Sequence, residues 1–296
     1  MQELLIPIFC DIDEFCKAYE EYCKTHLLSD GIEVNKIFPK SSMNLSEVMT
    51  IVIYFHLSQY RNFKWYYKTH ICTHLKDYFP KRVSYNRFIE LMKSALIPLL
   101  LYTLKHSVGK CTGISFIDST TIDVCDSHRI GSHKVFKDIA QRGKSSTGWF
   151  YGFKLHLVIN DKGEILSFCL TSGNVDDRNP KVLEFLSGEL FGKLFGDRGY
   201  LSQKAFKALF EKGVTLVTKL KKNMKNKLMD VYDKLLLRKR AIIESVNDFL
   251  KNICQIEHSR HRSLHNFMVN LIAGIAAYSF LPNKPSLNID KGNLLI

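Results

Sequence analysis

Apolar positions along this chain change period twice, and each change marks a new kind of element. In the first hundred residues the period is helical. Val48, Ile51, Val52 and Phe55 recur every three or four positions behind Asn44 and Ser46, either of which suits an N-cap, and Glu47 supports the first turn. A second helix is predicted after Ser84, through Phe88, Leu91, Met92 and Leu96, with Pro98 expected to kink or interrupt it. Between them, Arg61 to His70 mixes bases and aromatics. With Arg61, Lys64, Lys81, Arg82 and Arg87 nearby, residues 1–108 read as a helical region suited to DNA reading in the manner of a helix-turn-helix, or as a packing domain with a basic rim.

From residue 112 the pattern becomes strand-like. GISFIDSTTIDV (113–124), GWFYGFKLHLVIN (148–160) and EILSFCLTSG (164–173) are β-rich, and the DKG turn at 161–163 joins the last two as a hairpin. Asn179 and Pro180 open a helix through KVLEFLSGEL, KLFGDRGY supplies a short strand and turn, Ser202 caps a helix ending at Gly213, and VTLVTKL is a fifth strand. Leu236, Ile243, Val246 and Leu250 then return to helical spacing. This order of strands and helices predicts an α/β layered core over 109–281, followed by a polar tail over 282–296. The most apolar run, Leu264 to Leu281, contains His265, Asn266 and Asn270 and so reads as a buried helix, not a membrane span.

Composition narrows the class. With 46% hydrophobic and 24% charged residues in 296, the chain has enough apolar material to rule out disorder over most of its length. Lys and Arg number 42 against 29 Asp and Glu, a net charge of +13, which points to a polyanionic partner: nucleic acid, with an anionic membrane as the competitor. Eight cysteines without a C-x-x-C pair argue against a zinc ribbon or a thioredoxin-like site and fit a reducing, cytoplasmic setting. The opening MQELLIPIFCDIDEF is acidic and lacks the basic start and apolar core of a secretion signal.

Three carboxylates stand in unusual places. Asp118 lies among Ile114, Phe116, Ile117 and Ile122 in a strand, where a lone charge costs several kcal/mol, roughly, unless it is paired or binds a metal. Asp197 ends the strand KLFGD, and Glu244 lies beside Ile243 near the buried stripe of a helix. Together they make a hard oxygen donor set for Mg²⁺ or Mn²⁺, and two such ions serve phosphoryl transfer. Each also has a plain structural alternative: a turn at Asp118, a pair of Asp197 with Arg198, a pair of Glu244 with Arg240. Asp176 and Asp177 rival Asp197 as a ligand, or else form a helix-entry turn. Lys154 and His156 alternate with Phe153 and Leu155, so one strand face presents them to DNA, to the metal site or simply to solvent. Trp149 suits either base stacking or the core. Basic residues gather in three stretches: a loop containing Lys134, Arg142 and Lys144, a run with Lys221 and Lys222 that extends to Arg240, and SRHRS with Arg260 and Arg262.

The pieces IDSTTIDVC, RGKSSTGWFYGFKLHLVINDKGEI, TSGNVDDR, GDRGY, an R-x₃-E-x₆-K spacing at Arg240, Glu244 and Lys251, and HSRHRSLHNFMVNLIAG occur in one order. In that order they resemble the DDE transposases of bacterial insertion sequences, in particular the insertion-sequence 982 family, over most of the chain. The resemblance implies a ribonuclease-H-like mixed sheet flanked by helices and preceded by a helical DNA-binding region. It implies Asp118, Asp197 and Glu244 as catalytic ligands of two Mg²⁺ or Mn²⁺ ions, with Arg240 and Lys251 as the basic residues that accompany the Glu. Leu237 stands where relatives carry a Tyr. The implied activity is binding of terminal inverted repeats, cleavage at each end and strand transfer into target DNA by a dimer or larger assembly. The expected DNA contacts are Lys134, Arg142, Lys144, Lys154, His156, Lys221, Lys222, Arg240, Lys251, Arg260 and Arg262. A transposon-derived DNA-binding protein without chemistry and a structure-specific nuclease are the alternatives.

Overall fold

The fold is described from a computed structural model, which defines residues 2–26, 41–145, 148–200, 202–219, 229–257 and 261–287. Its helices are α1 (Leu5–His26), α2 (Leu45–Leu57), α3 (Tyr85–Ser94), α4 (Leu96–His106), α5 (Pro180–Leu186), α6 (Gln203–Glu211), α7 (Val231–Lys239), α8 (Ala241–Asp248) and α9 (Leu264–Ser279). An α-helical turn, Phe63–Trp65, runs into a π-helix at Tyr66–His74. The strands are β1 (Ile114–Asp123), β2 (Gln141–Ser145), β3 (Gly148–Asn160), β4 (Ile165–Ser172), β5 (Gly192–Gly196) and β6 (Val214–Thr218). Two compact units result: one of Met1–Ser107, Leu250–Ile256 and Arg260–Leu281, the other of Val108–Phe249, Glu257–Ser259 and Pro282–Ile296.

The first unit is helical. The Asn44 amide donates to Glu47 Oε2 at 2.8 Å, and the Ser84 hydroxyl accepts from the Arg87 amide at 3.3 Å, so α2 and α3 begin where their capping residues stand. Pro98 falls in the first turn of α4, where its missing N–H costs nothing, and the chain breaks ahead of it at Ala95. Helix α2 is apolar all round and buried, and it packs against α1 and α9. Helix α9 is equally buried, and a Cβ at Gly274 would meet Ile256 Cγ2 at 2.4 Å, so only glycine permits that approach. This departs from the expected boundaries: Leu264–Ser279 completes the helical unit instead of closing the α/β core, because its apolar surface needs cover on every side. Among the described residues no helix is long and apolar enough to cross a membrane.

The second unit is a six-stranded mixed sheet with helices on both faces. Strand β1 pairs antiparallel with β3 and parallel with β5, and β5 pairs parallel with β6. Strands β2 and β4 both pair antiparallel with β3, β2 along Gly148–Gly152 and β4 along Phe153–Ile159, so they lie end to end on one edge of β3. Strand β2 falls where the sequence suggested only a basic loop. QRGKS offers no apolar alternation, because the strand is at the edge and mostly exposed. The helix expected through Leu236 to Leu250 is two helices, broken at Arg240.

Alternation along β1 sorts the sheet into two faces. Ile117 faces one way and joins Val158, Leu183, Leu186, Leu194 and Leu209 in a core beneath α5 and α6. Phe116 faces the other way, its ring 5.6 Å from that of Phe195, on the side where α8 meets β1 and α7 meets β5 and β6. We refer to the Phe116 side as the front face and the Ile117 side as the back face.

Candidate functional site

The front face carries the three candidate carboxylates. The parallel register of β1 and β5 ends at the pair Phe116 and Phe195; Asp118 stands two residues further along β1, and Asp197, two residues past Phe195, is close enough to act on it electrostatically. Asp197 sits just past β5, where its Oδ1 accepts the Gly199 amide at 2.7 Å, leaving its other oxygen outside that contact. Glu244 comes from α8 across the face. Arg240, one helical turn earlier, donates to Glu244 Oε1 at 2.9 Å and stands 3.8 Å from Asp118 Oδ1, an ion-pair distance too long for a hydrogen bond.

The electrostatics follow from that placement. Burial pushes the Asp118 carboxyl up to about 6, with Asp197 and Glu244 adding to the shift while Arg240 and the Ser119 amide oppose it. Arg240 outweighs either negative neighbour taken singly, and it is burial that leaves the net shift upward. Glu244 is the most open of the group, 60% exposed.

A hard divalent cation fits this donor set: oxygen ligands only, one of them a buried carboxylate whose charge lacks full compensation. Among the described residues no group of three His, Cys, Asp or Glu side chains is gathered tightly enough to hold a metal ion, and Glu244 is turned onto Arg240.

The remaining expectations divide sharply. His156 is a correction: it is fully buried on the back face, with Nε2 2.9 Å from Thr171 Oγ1, because β3 is an interior strand covered by α5 and α6. Burial lowers its pKa to about 4, against the pull of Asp177 and with the help of Lys154, so the ring is neutral. Lys154 is a second correction. It pairs across the sheet with Thr121, on the back face, and its ammonium donates to Val175 O at 3.0 Å and Asp177 Oδ1 at 3.2 Å. Both residues lie on the side of the sheet opposite Asp118. Arg240 is committed to carboxylates and only 20% exposed, so it is not a free phosphate ligand. Lys134, Arg142 and Lys144 are exposed, the last two on β2. Arg262 is exposed in the helical unit, close enough to Tyr85 to act on its hydroxyl, and Lys251 is half-buried in the same unit. Lys221, Lys222 and Arg260 lie outside the described residues. Leu237 is buried and apolar, a packing residue of α7.

Asp177, raised from sequence as a rival ligand, belongs to the back face. Its Oδ1 accepts from Ser119 Oγ at 2.9 Å as well as from Lys154, while Asp176 holds Arg178 through two bonds of 2.9 and 2.6 Å. Sequence reasoning passed over Tyr200. It is buried, and burial, reinforced by Asp118, Asp177 and Asp197, holds its hydroxyl well above the usual phenol range. Its signal was present in GDRGY: a Tyr three residues after a strand-end Asp, where a tight 3-10 turn folds the chain back onto the sheet. A family model described as a transposase DDE domain matches residues 108–264, and no curated protein matches the chain.

Proposed function

The chain belongs to the transposase DDE domain family, and on that premise we propose that it cuts and joins DNA at the ends of an insertion sequence, with Asp118, Asp197 and Glu244 as the catalytic carboxylates. The observation that carries the reading is that Asp197, just past β5, and Glu244, on α8, both act electrostatically on Asp118 of the neighbouring parallel strand β1. The strand order β4–β3–β1–β5–β6, with β5 and β6 parallel to β1, supports a ribonuclease-H-like core. The ordered motifs from IDSTTIDVC to GDRGY favour the insertion-sequence 982 group within the family.

Two Mg²⁺ or Mn²⁺ ions, when bound, activate a water or a 3′-hydroxyl and stabilise the departing oxygen. Asp118, Asp197 and Glu244 would hold those ions, Glu244 after giving up its bond with Arg240. Arg240 neutralises Asp118 and Glu244 meanwhile, limiting the repulsion among three acids. Exposed Lys134, Arg142 and Lys144 bind phosphates, and the helical region 1–108 reads the inverted repeats. Two DNA ends call for a dimer or larger assembly, acting in the cytoplasm.

One observation favours a second reading, a DNA-binding protein without chemistry: Arg240 pairs with two of the three acids, as in a site neutralised for good. Incubation with Mg²⁺ and duplex DNA carrying the element's own ends decides between them. Wild-type protein nicks and joins these ends, and Asp197→Asn lowers the rate at least about a thousandfold. Cleavage untouched by that substitution rejects the site, cleavage without joining indicates a nuclease, and binding with no cleavage in Mg²⁺ or Mn²⁺ selects the second reading.

A further inference from the structure

Trp149 is 69% exposed, in the first residues of β3, where the sequence left stacking and core roles open. It is directly opposite Lys144 on β2, whose ammonium lies 5.8 Å from the ring centroid in cation–π geometry. Arg142, opposite Tyr151, points to the same side and is exposed. An indole left in water with a cation over one face and solvent over the other contributes little to folding. Its free face can take a flat ring, and the two cations beside it attract an anionic backbone.

Alternation along β3 shows where this platform faces. Trp149, Tyr151, Phe153, Leu155 and Leu157 share one side of the strand, and Leu157 pairs with Asp118. Trp149, Lys144 and Arg142 therefore stand on the front face, the side of Asp118, Asp197 and Glu244. Eight residues of β3 separate Trp149 from the level of Asp118, roughly 26 Å along the strand. Between the two levels Tyr151, Phe153 and Leu155 are buried, with Phe136 packed against Phe153, so the platform stands at the open end of a covered face.

We propose that Trp149, backed by Lys144 and Arg142, is a stacking platform for an unpaired base of the DNA that the Asp118 and Asp197 site processes. The proposal rests on the DNA-processing reading above and specifies how that site holds its substrate. Lys144 covers one ring face, the base takes the other, and both cations meet the flanking phosphates. The partner is DNA with an unpaired base, because a fully paired duplex has no base face free to stack on indole.

The chain has two tryptophans, so Trp65→Phe leaves Trp149 as the sole indole reporter. In that background, fluorescence titrations use single-stranded dT20 and a blunt 20-base-pair duplex. Quenching of Trp149 by dT20 is expected. Trp149→Phe, which keeps a stacking ring, should hold dT20 affinity within about twofold, whereas Trp149→Leu should lower it about fivefold to a hundredfold and leave duplex affinity within about twofold. As this side chain is exposed, circular dichroism should show all variants folded. Equal losses on both probes, or none on dT20, overturn the platform while the transposase reading stands. Failure of the wild-type chain to bind either probe overturns both.

Discussion

The two faces of the central sheet treat their charged groups in different ways. On the back face, Asp177 accepts from Ser119 and Lys154, and a neutral His156 bonds to Thr171, so Lys154 and Asp177 meet each other within the protein. On the front face, Asp118, Asp197 and Glu244 share one guanidinium, and burial with mutual repulsion raises Asp118. The difference separates structure from chemistry. The back-face hydrogen bonds tie β1, β3 and the loop after β4 together, whereas on the front face burial leaves the ionised form of Asp118 disfavoured.

Four measurements sharpen or break this contrast. The largest effect belongs to the front face: Asp118→Asn should lower Mg²⁺-dependent DNA cleavage at least about a thousandfold with little change in DNA affinity, read in single-turnover assays. Next is the back face, where Asp177→Ala leaves the mostly buried Lys154 ammonium with a single carbonyl. Urea unfolding should show a loss of about 3 kcal/mol. A loss below about 0.5 kcal/mol would erase the distinction between the faces.

The third measurement is pH. In the folded chain Asp118 titrates near 6, above its ordinary 3.8, so its ionised form is penalised by folding. Metal-free protein should gain stability from this group as pH falls from 8 through 6, and Asp118→Asn should be more stable than wild type by about 2 kcal/mol at pH 8, converging with it near pH 4. His156 runs the other way. Its folded pKa, near 4, lies below the ordinary 6.5, so its contribution is complete above pH 6.5 and is lost as pH falls toward 4. His156→Gln should remove that acid loss, and parallel slopes for the two variants would contradict the opposed environments. The smallest effect is on DNA affinity: Arg142→Ala should reduce the slope of log affinity against log salt by about 0.9, one phosphate contact, and a comparable change from Lys154→Met would mean the back face also meets DNA.

Much of this was legible beforehand because it depends on local pattern. The extent of β3, the caps at Ser84 and Ser202, and the oddity of an Asp inside ISFIDST all follow from short-range rules. The readings that failed needed a partner strand. Lys154 and His156 looked like an outward face because alternation separates two sides of a strand without saying which is covered. Strand β2 went unseen because an exposed edge strand carries no apolar signature. Arg240 and Glu244, by contrast, were recognisable as a pair from helical spacing alone, and they are one.

Taken alone, the order of residues determined the elements, their caps and the three acids worth explaining, since each of these is set by neighbours within a few positions. Only the tertiary structure decided which acids share a face. Asp197 comes to act on Asp118 because β5 runs parallel beside β1, while Asp177 is drawn to the other side by Ser119 and Lys154. A strand's alternation is local, but the choice of which side becomes a site depends on which helices come to cover it.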